Sequence, residues 1–247
     1  MSVSSLSDDV AVLRTQRILF AHQSVGNNIL QGVRELTASA GLSPLNLVEL
    51  ADVDLGAGNF VCDVRAGKNG APETKVNAFA EIVKGPAGQA IDIALMKFCY
   101  VDIDKDTDVD AVFASYWNTV KELRASHPDI VFVHVTVPLR SRAPGWKRVI
   151  KTVVGYGNAA DIDAMKRTEF NTLLLNAAGS EPVFDLACVE STYDDGTRCS
   201  FEREGKTVYT LIGEYTDDGG HLNELGRRVV AREFIRTLAS VRDSQHR

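Results

Sequence analysis

The sequence predicts a three-layer α/β/α sandwich on a five-stranded parallel sheet, read as one domain over residues 1–247. Three observations carry that prediction. Short β-type runs alternate with amphipathic helical patterns along the chain. The strand runs are nearly continuous in apolar residues, as strands covered on both faces must be. No linker-like, low-complexity or repeated stretch divides the chain, and 247 residues with 45% hydrophobic content suffice for a full core.

The elements follow in order. Residues 17–21 (RILFA) form a compact apolar strand, and from Gly26 the pattern turns helical, with Ile29, Val33 and Leu36 on one face. Residues 45–50 read as a second strand, followed by an irregular, glycine-bearing stretch to Ala71. Pro72 suits the first turn of a helix, where a missing N–H does no harm; that helix carries Val76, Phe79, Ala80 and Val83 on one side. Residues 91–98 are the third strand. A helix with Val109, Val112, Phe113, Tyr116, Val120 and Leu123 facing inward stops near Pro128. Residues 130–137 (IVFVHVTV), β-branched and almost wholly apolar, are predicted as the central strand. A long irregular stretch then leads to Asp161 and a helix over about 165–177, whose Phe170 and Asn171 pack on the sheet. Residues 183–186 are a last short strand. A helix from about Leu222 closes the fold, with Leu225, Val229, Phe234, Leu238 and Val241 as its buried stripe.

Composition removes several function classes. Lys+Arg 27 against Asp+Glu 33 gives a net charge of −6, the wrong sign for a nucleic-acid surface. No apolar run approaches the ~18–20 residues that span a bilayer. The start, MSVSSLSDDVAVLRTQ, lacks the basic and apolar segments of a secretory signal, so the cytoplasm is expected, with export left open. Cys62, Cys99, Cys188 and Cys199 have no C-x-x-C spacing and read as reduced, partly buried thiols; an exported chain could bridge Cys188 to Cys199. The alternating Asp102, Asp104, Asp106, Asp108 and Asp110 suggest a calcium loop. Thr107 and Phe113 occupy the places where such a loop needs Gly and Glu, so an acidic loop leading into a helix is the better reading. No metal and no organic cofactor is expected.

Parallel sheets place their sites beyond the carboxyl ends of the strands, which singles out the loops after Ala21, Leu50, Phe98, Val137 and Leu186. In the first loop, AHQSVGNN, Ser24 lies between strand and helix, beside free N-terminal N–H groups able to hold an oxyanion. On position alone, capping the helix is the simpler role for that serine. No G-x-S-x-G is present. Near the C-terminus, YTDDGGHLNELG places Asp218 and His221 three residues apart on a glycine-bearing loop, a spacing that lets a carboxylate orient an imidazole. The plainer alternative is helix capping by Asp217 or Asp218, with His221 in solvent.

Taken together, a serine after strand one and Asp-x-x-His before the last helix resemble the SGNH (GDSL-like) hydrolase family, whose sheet is flavodoxin-like and whose members use a Ser-His-Asp triad. ILFAHQSVG looks like the family's first block, with His22-Gln23-Ser24 where Gly-Asp-Ser is usual, and DGGHLN looks like its last. PVFDLACVES resembles the short strand and loop that precede the last block. The resemblance implies Ser24 as nucleophile, His221 as general base and Asp218 as its orienter. It also implies an oxyanion hole from the Ser24 N–H and a glycine N–H in RAGKNGAPE, Gly67 in preference to Gly70, with Asn69 as an extra donor. The third block, normally Gly-x-Asn-Asp, departs from the pattern: with Asp102 at its last position, Val101 replaces the Asn. Asn69, Tyr100 and Lys97 are the candidates to make up that donor.

The sequence thus points to a serine hydrolase of small carboxylic esters, O-acylated carbohydrates among them, working through an acyl-enzyme. Acyl transfer to a sugar or alcohol is an alternative, and so is a non-catalytic binding module with a degenerate oxyanion hole. A nucleotide-binding protein is disfavoured because the first loop lacks a phosphate cradle. His22, Lys97, Tyr100 and Trp146 are expected to line the substrate site. Arg140, Arg142, Lys147, Arg148 and Lys151 are read either as a wall favouring a polar or anionic acyl group or as a solvated basic surface. The expected partner is a small ester, with neither nucleic acid nor membrane; the sequence does not fix the oligomeric state.

Overall fold

The structure, a computed structural model, describes residues 4–52, 58–142 and 156–243. Its centre is a six-stranded, wholly parallel sheet of β1 (Arg17–His22), β2 (Leu47–Glu49), β3 (Phe60–Arg65), β4 (Ile93–Met96), β5 (Val131–Val135) and β6 (Val183–Phe184), ordered β2-β3-β1-β4-β5-β6. Helices cover both faces: α1 (Leu6–Leu13), α2 (Val25–Ser39), α3 (Pro72–Lys84), α4 (Val109–Ser126), α5 (Tyr156–Ala178), α6 (Leu186–Ser191) and α7 (Glu224–Asp243). A hairpin of β7 (Ser200–Arg203) and β8 (Lys206–Tyr209) stands apart from the sheet.

Alternation along the strands divides the core in two, because successive side chains point to opposite faces. Ile18 and Phe20 of β1, with Ile93 and Leu95 of β4, meet Ile29, Leu30 and Val33 of α2 and Val230, Phe234 and Leu238 of α7. Leu19 and Ala21, with Ala94 and Met96, meet Val76 and Phe79 of α3, Val112, Tyr116 and Leu123 of α4 and Phe170 of α5.

The sheet has one strand more than predicted. β3 lies in the stretch read as irregular, because Asp63 and Arg65 interrupt its apolar run; Phe60, Val61, Cys62 and Val64 are nonetheless buried. β3 is also the strand beside β1, while β2 is the edge strand. The central pair is β1 and β4. β5 sits between β4 and the two-residue β6 rather than at the middle. The stripe of α7 is set differently from the prediction as well: Leu225 is 49% exposed, and Val230, Ala231 and Ile235 join Phe234, Leu238 and Val241 inside.

All four cysteines are free thiols, Cys62 and Cys99 buried and Cys188 and Cys199 half-buried, so the bridge that export would have allowed is not formed. The aspartate run is divided among separate tasks. Asp108 caps α4 by accepting from Ala111 N–H at 3.1 Å, Asp104 accepts from Asp106 N–H at 3.0 Å and from Thr107 Oγ1 at 2.9 Å, and Asp102 is buried. Among the described residues, no helix is long and apolar enough to cross a membrane.

Candidate active site

Three connections meet at the carboxyl edge of the sheet: β1 to α2, β3 to α3, and the loop after β4. A fourth segment, 216–223, reaches the same edge just before α7. Only Gln23 and Ser24 separate β1 from α2, and the tight turn drives Ser24 to φ 54°, ψ −108°, a left-handed conformation uncommon outside glycine. Ser24 occupies the N-cap position, yet its side chain makes no cap hydrogen bond. Its Oγ lies 2.7 Å from His221 Nε2 instead.

His221 is held by its own loop. Its Nδ1 lies 2.6 Å from Asp218 Oδ2, while Asp218 Oδ1 accepts the N–H groups of Gly220 and His221, each at 2.8 Å. The His221 ring, followed by those N–H donors, holds the Asp218 carboxyl far below the usual carboxylate range, so it is a fixed anion beside the imidazole. The loop is in turn tied to its surroundings. Asn28 Oδ1 accepts from Leu222 N–H at 3.1 Å, Ser141 N–H donates to Gly219 O at 3.0 Å, and Arg227 pairs with Glu35 at 2.8 Å to lock α7 on α2.

The β3–α3 loop carries Gly67 at φ +64°, packed so closely on α3 that a Cβ there would come within 2.5 Å of the Lys75 nitrogen. Gln23 Nε2 donates to Gly67 O and, at 3.1 Å, to Ala66 O. In a trans peptide the N–H points opposite the carbonyl, so the grip on Ala66 O also fixes the direction of the Gly67 N–H. Asn69 is exposed, and its Oδ1 accepts from Lys75 Nζ at 2.9 Å; no hydrogen bond joins it to Ser24, His221 or Asp218. The structure therefore attaches Asn69 to the brace of the loop.

Two expected substrate contacts are corrected. His22 is 1% exposed, its ring pressed beneath Gly26 and its Nε2 3.0 Å from Asp63 Oδ1 without hydrogen-bond alignment. Lys97 is also 1% exposed, with Nζ donating to Phe98 O at 3.0 Å. Burial drives both bases below their ordinary values, and both act as packing under the site. Tyr100, by contrast, lies at the site: its ring packs edge-on to His221 with centroids 6.0 Å apart, and Arg140 stands 5.1 Å over its other side. Trp146, Lys147, Arg148 and Lys151 lie outside the described residues. Arg142 pairs with Asp161 at 2.7 Å, which leaves the exposed Arg140 as the cation next to Tyr100.

Sequence reasoning missed the residues that stiffen this edge. Buried Lys75 pairs with Asp102, whose carboxylate also accepts Gly70 N–H at 2.8 Å and Cys99 N–H at 2.6 Å. Arg167 of α5 donates to Tyr100 O at 3.1 Å. Glu190 takes Leu139 N–H at 2.6 Å, and burial pushes its carboxyl up to about 8. A lysine in the first turn of α3 and an arginine on the inner face of α5 were the available signals, though neither names its partner.

The fold has relatives of known structure. It superimposes on a mutant acetyl esterase crystallised with an acetate ion at a TM-score of 0.51, with 14% identity over 92% of this chain and 97% of that one. A lipase/acylhydrolase from Enterococcus faecalis gives 0.48 at 13% identity, covering 91% and 96%. A structure from Desulfitobacterium hafniense assigned to the G-D-S-L lipolytic family gives 0.47 at 8% identity, covering 90% and 99%. No protein-family model and no curated protein matches the chain. The chain thus shares with the acetyl esterase a parallel α/β/α fold that extends over 92% of its length.

Proposed function

We propose that the chain is a serine hydrolase of small carboxylic esters, with Ser24 as nucleophile, His221 as general base and Asp218 as the group that orients it. The observation that supports this most directly is the continuous relay Ser24 Oγ–His221 Nε2, 2.7 Å, and His221 Nδ1–Asp218 Oδ2, 2.6 Å, presented on a strained turn where the serine is released from capping. A side chain held at positive φ against its ordinary helix-capping role fits a position kept for chemistry.

In the first step Ser24 Oγ attacks the ester carbonyl carbon while its proton passes to His221 Nε2. The carbonyl oxygen becomes an anion held by the Ser24 and Gly67 N–H groups, neither of which has a protein acceptor among the described residues. Asp218, fixed as an anion, stabilises the imidazolium. Collapse breaks the bond to the alcohol, which leaves with the proton from His221. Water then attacks the acyl-serine with His221 again as base, releasing the acid and restoring Ser24.

A fluorophosphonate with peptide mass spectrometry tests the assignment. One adduct on Ser24, absent in His221→Ala, together with hydrolysis of p-nitrophenyl acetate, is expected. No adduct and no turnover would leave the chain a non-catalytic binding module.

A further inference from the structure

Resting on the ester-hydrolase reading above, we propose that the Tyr100 hydroxyl is a third donor to the oxyanion formed at Ser24. The hydroxyl faces the Ser24 side chain, and the phenol ring lies against Gly220 so closely that a Cβ there would come within 2.9 Å of the hydroxyl oxygen. The phenol ring also packs edge-on to the His221 ring, with centroids 6.0 Å apart, which keeps Tyr100 beside the Ser24–His221 pair. Its position is fixed from three sides. Arg167 grips the Tyr100 carbonyl at 3.1 Å, Asp102 takes the Cys99 N–H at 2.6 Å, and the Arg140 guanidinium covers the ring. The neighbouring Val101, 41% exposed, offers no side-chain donor.

The chemistry follows from which atoms can accept. Before reaction the Ser24 proton points to His221, so a hydroxyl on the other side of Oγ can act only as a donor to it. Once Oγ bonds to the ester carbon, the strongest acceptor nearby is the oxyanion on that same carbon. A rotation about the phenol C–O bond turns the proton toward it, and the donor moves to where charge develops. Burial keeps the Tyr100 phenol above its ordinary value, so it stays protonated and able to donate near neutral pH.

The alternative is that Tyr100 is only a wall for the His221 ring, and Tyr100→Phe separates the two because it keeps the wall and removes the donor. Wild type and variant are compared for p-nitrophenyl acetate hydrolysis and for binding of a small alkyl boronic acid, which adds to a serine as a tetrahedral anion. The expected result is a fall in kcat of about 10²–10³-fold with little change in KM. Boronate affinity should fall in parallel, while a fluorophosphonate still adds once, more slowly, at Ser24. A kcat within about threefold of wild type, or a large loss of kcat with boronate affinity unchanged, overturns the proposal. If wild-type Ser24 resists labelling and Ser24→Ala keeps turnover, the hydrolase reading itself fails, a different result from either.

Discussion

Lys75 Nζ and Asp102 Oδ2 stand 2.5 Å apart with both side chains sealed from solvent. Because the same carboxylate takes backbone N–H groups from Gly70 and Cys99, one buried charge fastens the loop after β3 to the loop after β4. Those loops carry Gly67 and Tyr100. The pair therefore sets the spacing between two sides of the site, and its charges are compensated by hydrogen bonds as buried ions require.

Lys75→Met should destabilise the protein by about 3–5 kcal/mol, since it leaves the Asp102 carboxylate buried without its cation. Urea unfolding measures this. A loss below about 1 kcal/mol would mean that water reaches Asp102 and the brace is not closed.

Ser24→Ala is expected to lower turnover by at least about 10³-fold while the protein still unfolds cooperatively. Ser24→Gly should be equally inactive but more stable than Ser24→Ala by about 1 kcal/mol, because glycine adopts φ 54° without a Cβ penalty. Thermal denaturation of the pair is the check; an alanine variant at least as stable as the glycine one would remove the case for strain.

Asp218→Asn keeps the shape of the loop and removes the anion that accepts from His221. A drop in kcat of about 10³–10⁴-fold is expected, with little change in Tm because both groups are exposed. Steady-state hydrolysis of p-nitrophenyl acetate measures this, and a kcat within about tenfold of wild type would remove Asp218 from the relay.

Of the fold and site, the parts written in short contiguous stretches were legible in the chain. Asp218 and His221 share one turn and Ser24 follows an unmistakable strand, but position alone favoured a cap for the serine, and the family resemblance was needed to join the three. Lys75, Asn28 and Arg167 were not legible because their partners lie 27, 194 and 67 positions away. β3 was hidden by Asp63, whose neighbour is His22 on β1 rather than anything local. Two missed elements did carry local signals: Ser5 and Asp8 form the capping box of α1, and Glu204-Gly205, both at positive φ, make the turn between β7 and β8.

Acid should unfold the protein earlier than its carboxylates alone require. His134 is buried, its Nδ1 2.7 Å from the Tyr116 hydroxyl and its Nε2 2.7 Å from Glu181; His22 is buried beside Asp63. Burial outweighs the acidic neighbours and holds both imidazoles below their ordinary value. A base depressed in the folded state contributes stability above its unfolded pKa, about 6.5, that is lost as pH falls through the folded value. Tm should decline below about pH 6.5, less steeply in His134→Gln. An identical decline in the variant would assign the acid limb elsewhere.

Ser24 and His221 are separated by 197 positions, and the loop bearing the imidazole is secured through α7, whose Arg227 reaches back to Glu35. During synthesis the hydroxyl therefore leaves the ribosome long before the ring that would take its proton. A chain cut ahead of α7 loses the hold on the imidazole loop, and with it the contact between ring and hydroxyl.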